Sequence, residues 1–261
     1  MSRSIVCCSM VVCCSMVLAG SIGCAEEDPW VVRPPGGGTG SGTAGPDAGV
    51  DAASDGGLPA AVAGRVCVTT DLRRPGTCPA VAAAAGVAVR ELGAAAGTTS
   101  APDGSFTVTL SGARREVELA VGSTSLVRAV VAAPAFTSGA RLSAPVVTVD
   151  AWSQTLLATG IQIATGNGAI AVYVVRADGV ADQGAGVDLP GAASVGPFYD
   201  RDGAWAADAA GTGAAGVALI LDLPPGDYAL TGRDSAGRDF TVAPVSVVAG
   251  AVSFTTEVLP P

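Results

Sequence analysis

The chain predicts an all-β fold: two tandem Greek-key-type β-sandwich modules behind a signal peptide and a disordered linker, with a short helix between them. Three observations predict it. Hydrophobic residues make up 49% of the 261 residues and aromatics only 4%, so the apolar content sits in small side chains such as Ala and Val. Short apolar runs recur between turn residues, with 36 glycines and 17 prolines as punctuation. Runs of this kind, bounded by Gly, Pro and Asp, read as strands. The second half then repeats the order of signals found in the first.

The first element is residues 1–23. MSRS carries one positive charge, and IVCCSMVVCCSMVLAG follows as an uncharged run. The run is shorter than the roughly 20 residues of a membrane span and suits a secretory signal. Its four cysteines, Cys7, Cys8, Cys13 and Cys14, lie in adjacent pairs, unlike Cys-x-x-Cys metal ligands. They count here as small apolar residues. Ser21-Ile22-Gly23-Cys24 resembles a bacterial lipobox, whose cysteine is diacylated and becomes the new N-terminus. That resemblance implies lipidation at Cys24, a membrane partner held through the lipid, and, with Ala25 following, the outer membrane of a Gram-negative envelope. Ser21 stands where the family usually carries Leu or Val. Cleavage after Gly20 or Ala25, with secretion, and an uncleaved anchor are the alternatives.

Residues 24–60 are rich in Gly, Ser, Asp and Pro and have little to bury, so they read as a disordered tether. Its typical reach is about 30 Å. Gly40, Gly42 and Gly45 match the spacing of a dinucleotide fingerprint, but no strand precedes them and no helix follows.

Residues 61–149 form the first expected module. AGRVCVTT alternates, Val66 and Val68 on one face and Arg65, Cys67 and Thr69 on the polar one. GVAVREL and TTSAPDGSFTVTL follow, the latter turning at Asp103-Gly104; EVELAVG, SLVRAVVAA and SAPVVTVD complete the set. Residues 150–166 form the connector. Asp150 is read as the helix cap, Gly160 as its end, and Trp152, Leu156 and Thr159 as one face.

Residues 167–261 form the second expected module. GAIAVYVVRADG is a strand entering a turn, followed by GAGVDLPG, VGPFYDRDGAW, AGVALILDLPPGDYALTGRD, FTVAPVSVVAG and AVSFTTEVLP. Gly86-Val87 with Asp103-Gly104 and Gly186-Val187 with Asp202-Gly203 lie at separations of 17 and 16 residues, which suggests related units. GVAVREL with TTSAPDGSFTVTL, and GAGVDLP with YDRDGAW and LPPGDY, resemble the carboxypeptidase regulatory-like, or prealbumin-like, β-sandwich. The resemblance implies noncatalytic structural or recognition modules and carries over no active-site residue.

Cys67 and Cys78 remain for the folded region, and export makes them an expected disulfide contributing about 3 kcal/mol through the unfolded state. Arg73 and Arg74 lie in the loop that it closes. Tyr228 has the position to return its hydroxyl to a turn carbonyl. Asp200 and Asp202 raise calcium, but a Ca2+ loop wants a later bidentate Glu and none is close, so a turn at Asp202-Gly203 is favoured. Phe198, Tyr199 and Trp205 offer either an aromatic binding surface or core, and alternation favours core.

The chain has no histidine and no lysine, and its net charge is −9. Ser-His-Asp, Cys-His, Ser-Lys and Schiff-base chemistries are therefore excluded. Clustered positive charge for nucleic acid is missing. No metal and no cofactor are expected. The expected role is noncatalytic: an envelope lipoprotein that binds an envelope protein or polysaccharide. An accessory subunit of a separate enzyme, a freely secreted binding protein and a carboxylate hydrolase are the alternatives.

Overall fold

The computed structural model describes residues 60–74, 83–111, 115–132, 142–191 and 194–261. The apolar runs of the first half become β1 (Ala60–Thr69), β2 (Ala88–Glu91), β3 (Thr98–Thr99), β4 (Ser105–Leu110), β5 (Glu116–Leu119), β6 (Arg128–Ala132) and β7 (Leu142–Val147). Helix α1 (Val149–Thr159) follows. The second half forms β8 (Gly168–Arg176), β9 (Gly186–Asp188), β10 (Val195–Arg201), β11 (Ala204–Ala206), β12 (Val217–Leu223), β13 (Gly226–Arg233), β14 (Asp239–Val247) and β15 (Ala251–Leu259). The fold is all-β.

Strand pairing repeats between the halves. β1 lies between antiparallel β4 and parallel β7, as β8 lies between antiparallel β12 and parallel β15. β5 lies between antiparallel β2 and β6, as β13 lies between antiparallel β9 and β14. The turns repeat at single-bond detail. Val66 N–H donates to Gly104 O and Ala84 N–H to Val66 O; Val174 N–H donates to Gly216 O and Asp182 N–H to Val174 O. Ser100 Oγ accepts from Val87 N–H and donates to Ala84 O. Thr212 Oγ1 does the same with Ala185 N–H and Asp182 O.

These bonds make Gly86 equivalent to Gly184 and Gly104 equivalent to Gly216. The pairing expected from spacing, with Gly186-Val187 and Asp202-Gly203, is therefore corrected. Asp202-Gly203 instead turns β10 into β11, a hairpin that the fully described stretch from β2 to β4 does not contain.

The two halves share a sheet. β15 also pairs with β6 in parallel, giving one nine-stranded sheet in the order β11-β10-β12-β8-β15-β6-β5-β2-β3. The three-stranded sheet β4-β1-β7 packs on one face and β14-β13-β9 on the other. β8 shows why. Its Ala169, Ala171 and Tyr173 enter the first core, and its Ile170, Val172 and Val174 enter the second. A strand buried on both faces needs a continuous apolar run, which GAIAVYVV supplies. The expected boundary at 150–166 is thus crossed by hydrogen bonds and by a core that takes Leu219 and Phe254 from the second half.

Two local expectations change. The helix is capped by Thr148, whose hydroxyl accepts from Ala151 N–H, while Asp150 sits in the first turn. There its charge faces the positive end of the helix dipole. Gly160 ends the helix at φ 69°, as expected, because a left-handed residue is needed there. Cys67, expected on a polar face, is buried. Glu116 and Glu118 of EVEL are buried as well: Glu118 lies between Arg90 and Arg128, and Glu116 accepts from Ser246 N–H and Oγ at 2.8 and 2.6 Å.

Candidate functional site

A polar cleft of about 490 Å3 lies where turns from the two halves meet. Its first wall is the stretch after β1. Leu72 is buried at 1% exposure and anchors this turn in the core. Asp71 then holds Arg73 three ways: through its backbone N–H at 3.0 Å and through Nε and Nη2 at 2.9 and 3.0 Å. Arg74 is exposed beside them.

The second wall comes from residues 183–184, the β10–β11 turn and residues 210–215. Asp200 organises it. Its Oδ1 accepts from Gly213 and Val217 N–H at 3.1 and 3.0 Å, and its Oδ2 from Ala215 N–H at 2.9 Å. Gly211 and Gly213 are required by close approach. A Cβ on Gly211 would lie 2.6 Å from Gly184 O, and one on Gly213 would strike the Asp200 backbone. Arg201 and Asp202 project from the hairpin and are exposed.

The two walls communicate electrostatically. Burial opposes the charge on Asp71, but its hydrogen bonds with Arg73 and the charges of Arg73 and Arg74 outweigh it, so its pKa falls below 3.8. The pKa of the Arg73 guanidinium is raised above its ordinary value by its hydrogen bond to Asp71; burial opposes this, and the charges of Asp71 and of Asp200 add to it. Asp200 belongs to the second half, so the first-half turn sits within its field.

The residues singled out from sequence have different fates. Cys24 and Cys78 lie outside the described residues. Cys67 Sγ lies 3.8 Å from Ser143 Oγ and is not among the residues that line the cleft. Arg73 and Arg74 do line it. Both oxygens of Asp200 accept from backbone donors, and Asp202-Gly203 forms the turn from β10 to β11. Phe198 and Tyr199 are core, at 6% and 5% exposure, and Tyr199 Oη bonds both N–H and O of Val187. Trp205 packs against the first core. Tyr228 Oη donates to Pro224 O at 2.7 Å, the turn bond that LPPGDY suggested.

Sequence reading missed the cleft because its walls come from distant turns. One signal was present. Thirteen residues separate Val87 from its hydroxyl partner Ser100, and 27 separate Ala185 from Thr212. That inserted length is the β10–β11 hairpin, and only the correct equivalence of the halves exposes it.

No family model matches the chain, and no curated protein does. Among solved structures, it is similar to the Bacillus anthracis TIE protein at 11% identity, over 77% of this chain and 34% of that one, with a TM-score of 0.22. The chain spans about a third of that protein's length, and a likeness this slight carries no argument.

Proposed function

We propose that the chain is a noncatalytic envelope lipoprotein. A lipid on Cys24 holds it to the membrane, residues 24–60 act as the tether, and the β-body presents the cleft to an envelope component. The observation that carries this reading is how the buried acids are used. Asp200 is spent on three backbone N–H groups, Glu118 on two arginines, and Glu116 on Ser246. Asp182 is spent on Ser235, and Asp234 on Arg238. A general acid or base must instead present its oxygen to a substrate. The repeated strand pairing supports two related units; that they are of the carboxypeptidase regulatory-like kind rests on the sequence resemblance alone. The disulfide between Cys67 and Cys78 belongs to the same reading, since it would close the turn that carries Arg73 and Arg74.

Two measurements test it. Mass analysis of the mature N-terminal peptide from host membranes is expected to show a diacylglyceryl group on Cys24, with residues 1–23 removed. An unmodified N-terminus beginning elsewhere refutes the anchor. Co-sedimentation is expected to favour isolated envelopes over vesicles of the same lipids; equal recovery refutes envelope binding.

A further inference from the structure

The two halves share one pattern of pairing, so the places where they depart from it mark what was added to the scaffold. There are two large departures in the turns at this end of the sheets. Between equivalent positions, 18 residues separate Val66 from Ala84, whereas eight separate Val174 from Asp182. Conversely, 13 residues join Val87 to Ser100 and 27 join Ala185 to Thr212. The first excess contains Asp71, Arg73 and Arg74; the second contains Asp200, Arg201 and Asp202. One excess is in each half, and both line the same cleft. A scaffold carries its specific chemistry in such loops.

The lining decides the chemistry. Its apolar side chains are alanine methyls alone, so a greasy or aromatic ligand gains little there. Of its three acids, Asp71 has both oxygens on Arg73 and Asp200 has both on backbone N–H groups. Thr212 already donates to Asp182 O and accepts from Ala185 N–H. Arg73 in turn has Nε and Nη2 on Asp71. Arg201, on the hairpin, presents an exposed guanidinium to an incoming molecule, with Asp202 beside it as the carboxylate left over. Arginine matches carboxylate and phosphate oxygens in paired, charge-assisted hydrogen bonds.

We propose that this cleft binds an oxyanion-bearing sugar, a uronate or a sugar phosphate, with Arg201 as a principal contact. The proposal rests on the reading of the chain as an envelope-binding protein and names its ligand class. The net charge of −9 disfavours long polyanions at a distance, so the fit is to one charged group on a short glycan unit.

The test is calorimetric titration of the full chain in nonionic detergent with trigalacturonate, glucose 1-phosphate and neutral maltotriose. At least one anionic probe is expected to bind, and which one does identifies the source of the oxyanion. Arg201→Gln is expected to weaken that binding about tenfold or more, the loss of one charge-assisted contact. Arg233→Gln, on the outer face of β13 and outside the cleft, is expected to leave it unchanged. Maltotriose binding as tightly, an unaltered Arg201→Gln variant, or no anionic binding overturns the proposal. If both anionic probes fail while envelopes still retain the chain in preference to lipid, the ligand class alone is wrong. If envelope retention fails too, the binding reading falls with it. Arg201 is exposed, so its substitution does not endanger the fold.

Discussion

At the residue scale, the buried acids among the described residues are engaged within the fold. Asp200 accepts from three backbone donors, one buried and two partly buried, and pairing them accounts for its position. The pair of Asp71 with Arg73 favours the ionised carboxylate. Its folded pKa lies below 3.8, so its ionised form adds stability that is complete above the unfolded value and lost as pH falls through the folded one. Asp71→Asn is therefore expected to lower stability near neutrality and to flatten the decline that begins below about pH 4. Urea unfolding at a series of pH values checks this; an unchanged acid limb would show that the pair with Arg73 contributes nothing.

At the element scale, a hydroxyl closes the same turn in each half. Ser100 and Thr212 are both buried, and each bridges one backbone N–H and one carbonyl. Removing the hydroxyl orphans both groups. Ser100→Ala and Thr212→Val are each expected to cost about 1–3 kcal/mol, read from denaturant midpoints. A loss at one site only would mean that the two turns are not energetically equivalent. The edges carry a different device. β7 and β14 are edge strands, and Pro145 and Pro244 interrupt them. Proline withholds an N–H that a docking strand would need, so these edges are guarded against strand addition.

At the scale of the whole molecule, the junction of β6 with β15 makes the two halves one structural body. Phe254 of β15 is buried at 2% exposure and stacks on Tyr173 of β8, with ring centroids 6.4 Å apart. It sits in a core that also holds Val66, Val117 and Leu142 of the first half. Far-UV circular dichroism and tryptophan fluorescence are therefore expected to report one coincident unfolding transition. Phe254→Ala is expected to cost about 3–5 kcal/mol and to shift both signals together. Two separate transitions would show instead that the halves unfold independently.

The sequence by itself determined the class and the local devices. Apolar runs between Gly, Pro and Asp established strands, Gly160 the helix end, Asp202-Gly203 a hairpin turn, and LPPGDY the bond from Tyr228 to Pro224. These depend on a few neighbouring residues, so local pattern suffices. Tertiary structure decided the rest. Glu116 and Glu118 alternate with apolar residues as if facing water, yet Ser246, Arg90 and Arg128 meet them there. Pairing of β15 with β6 depends on edges brought together from distant parts of the chain, as does the cleft between the turns after β1 and β10. A strand's periodicity tells which of its faces are apolar; which other strand or turn covers them is settled only when the whole chain packs.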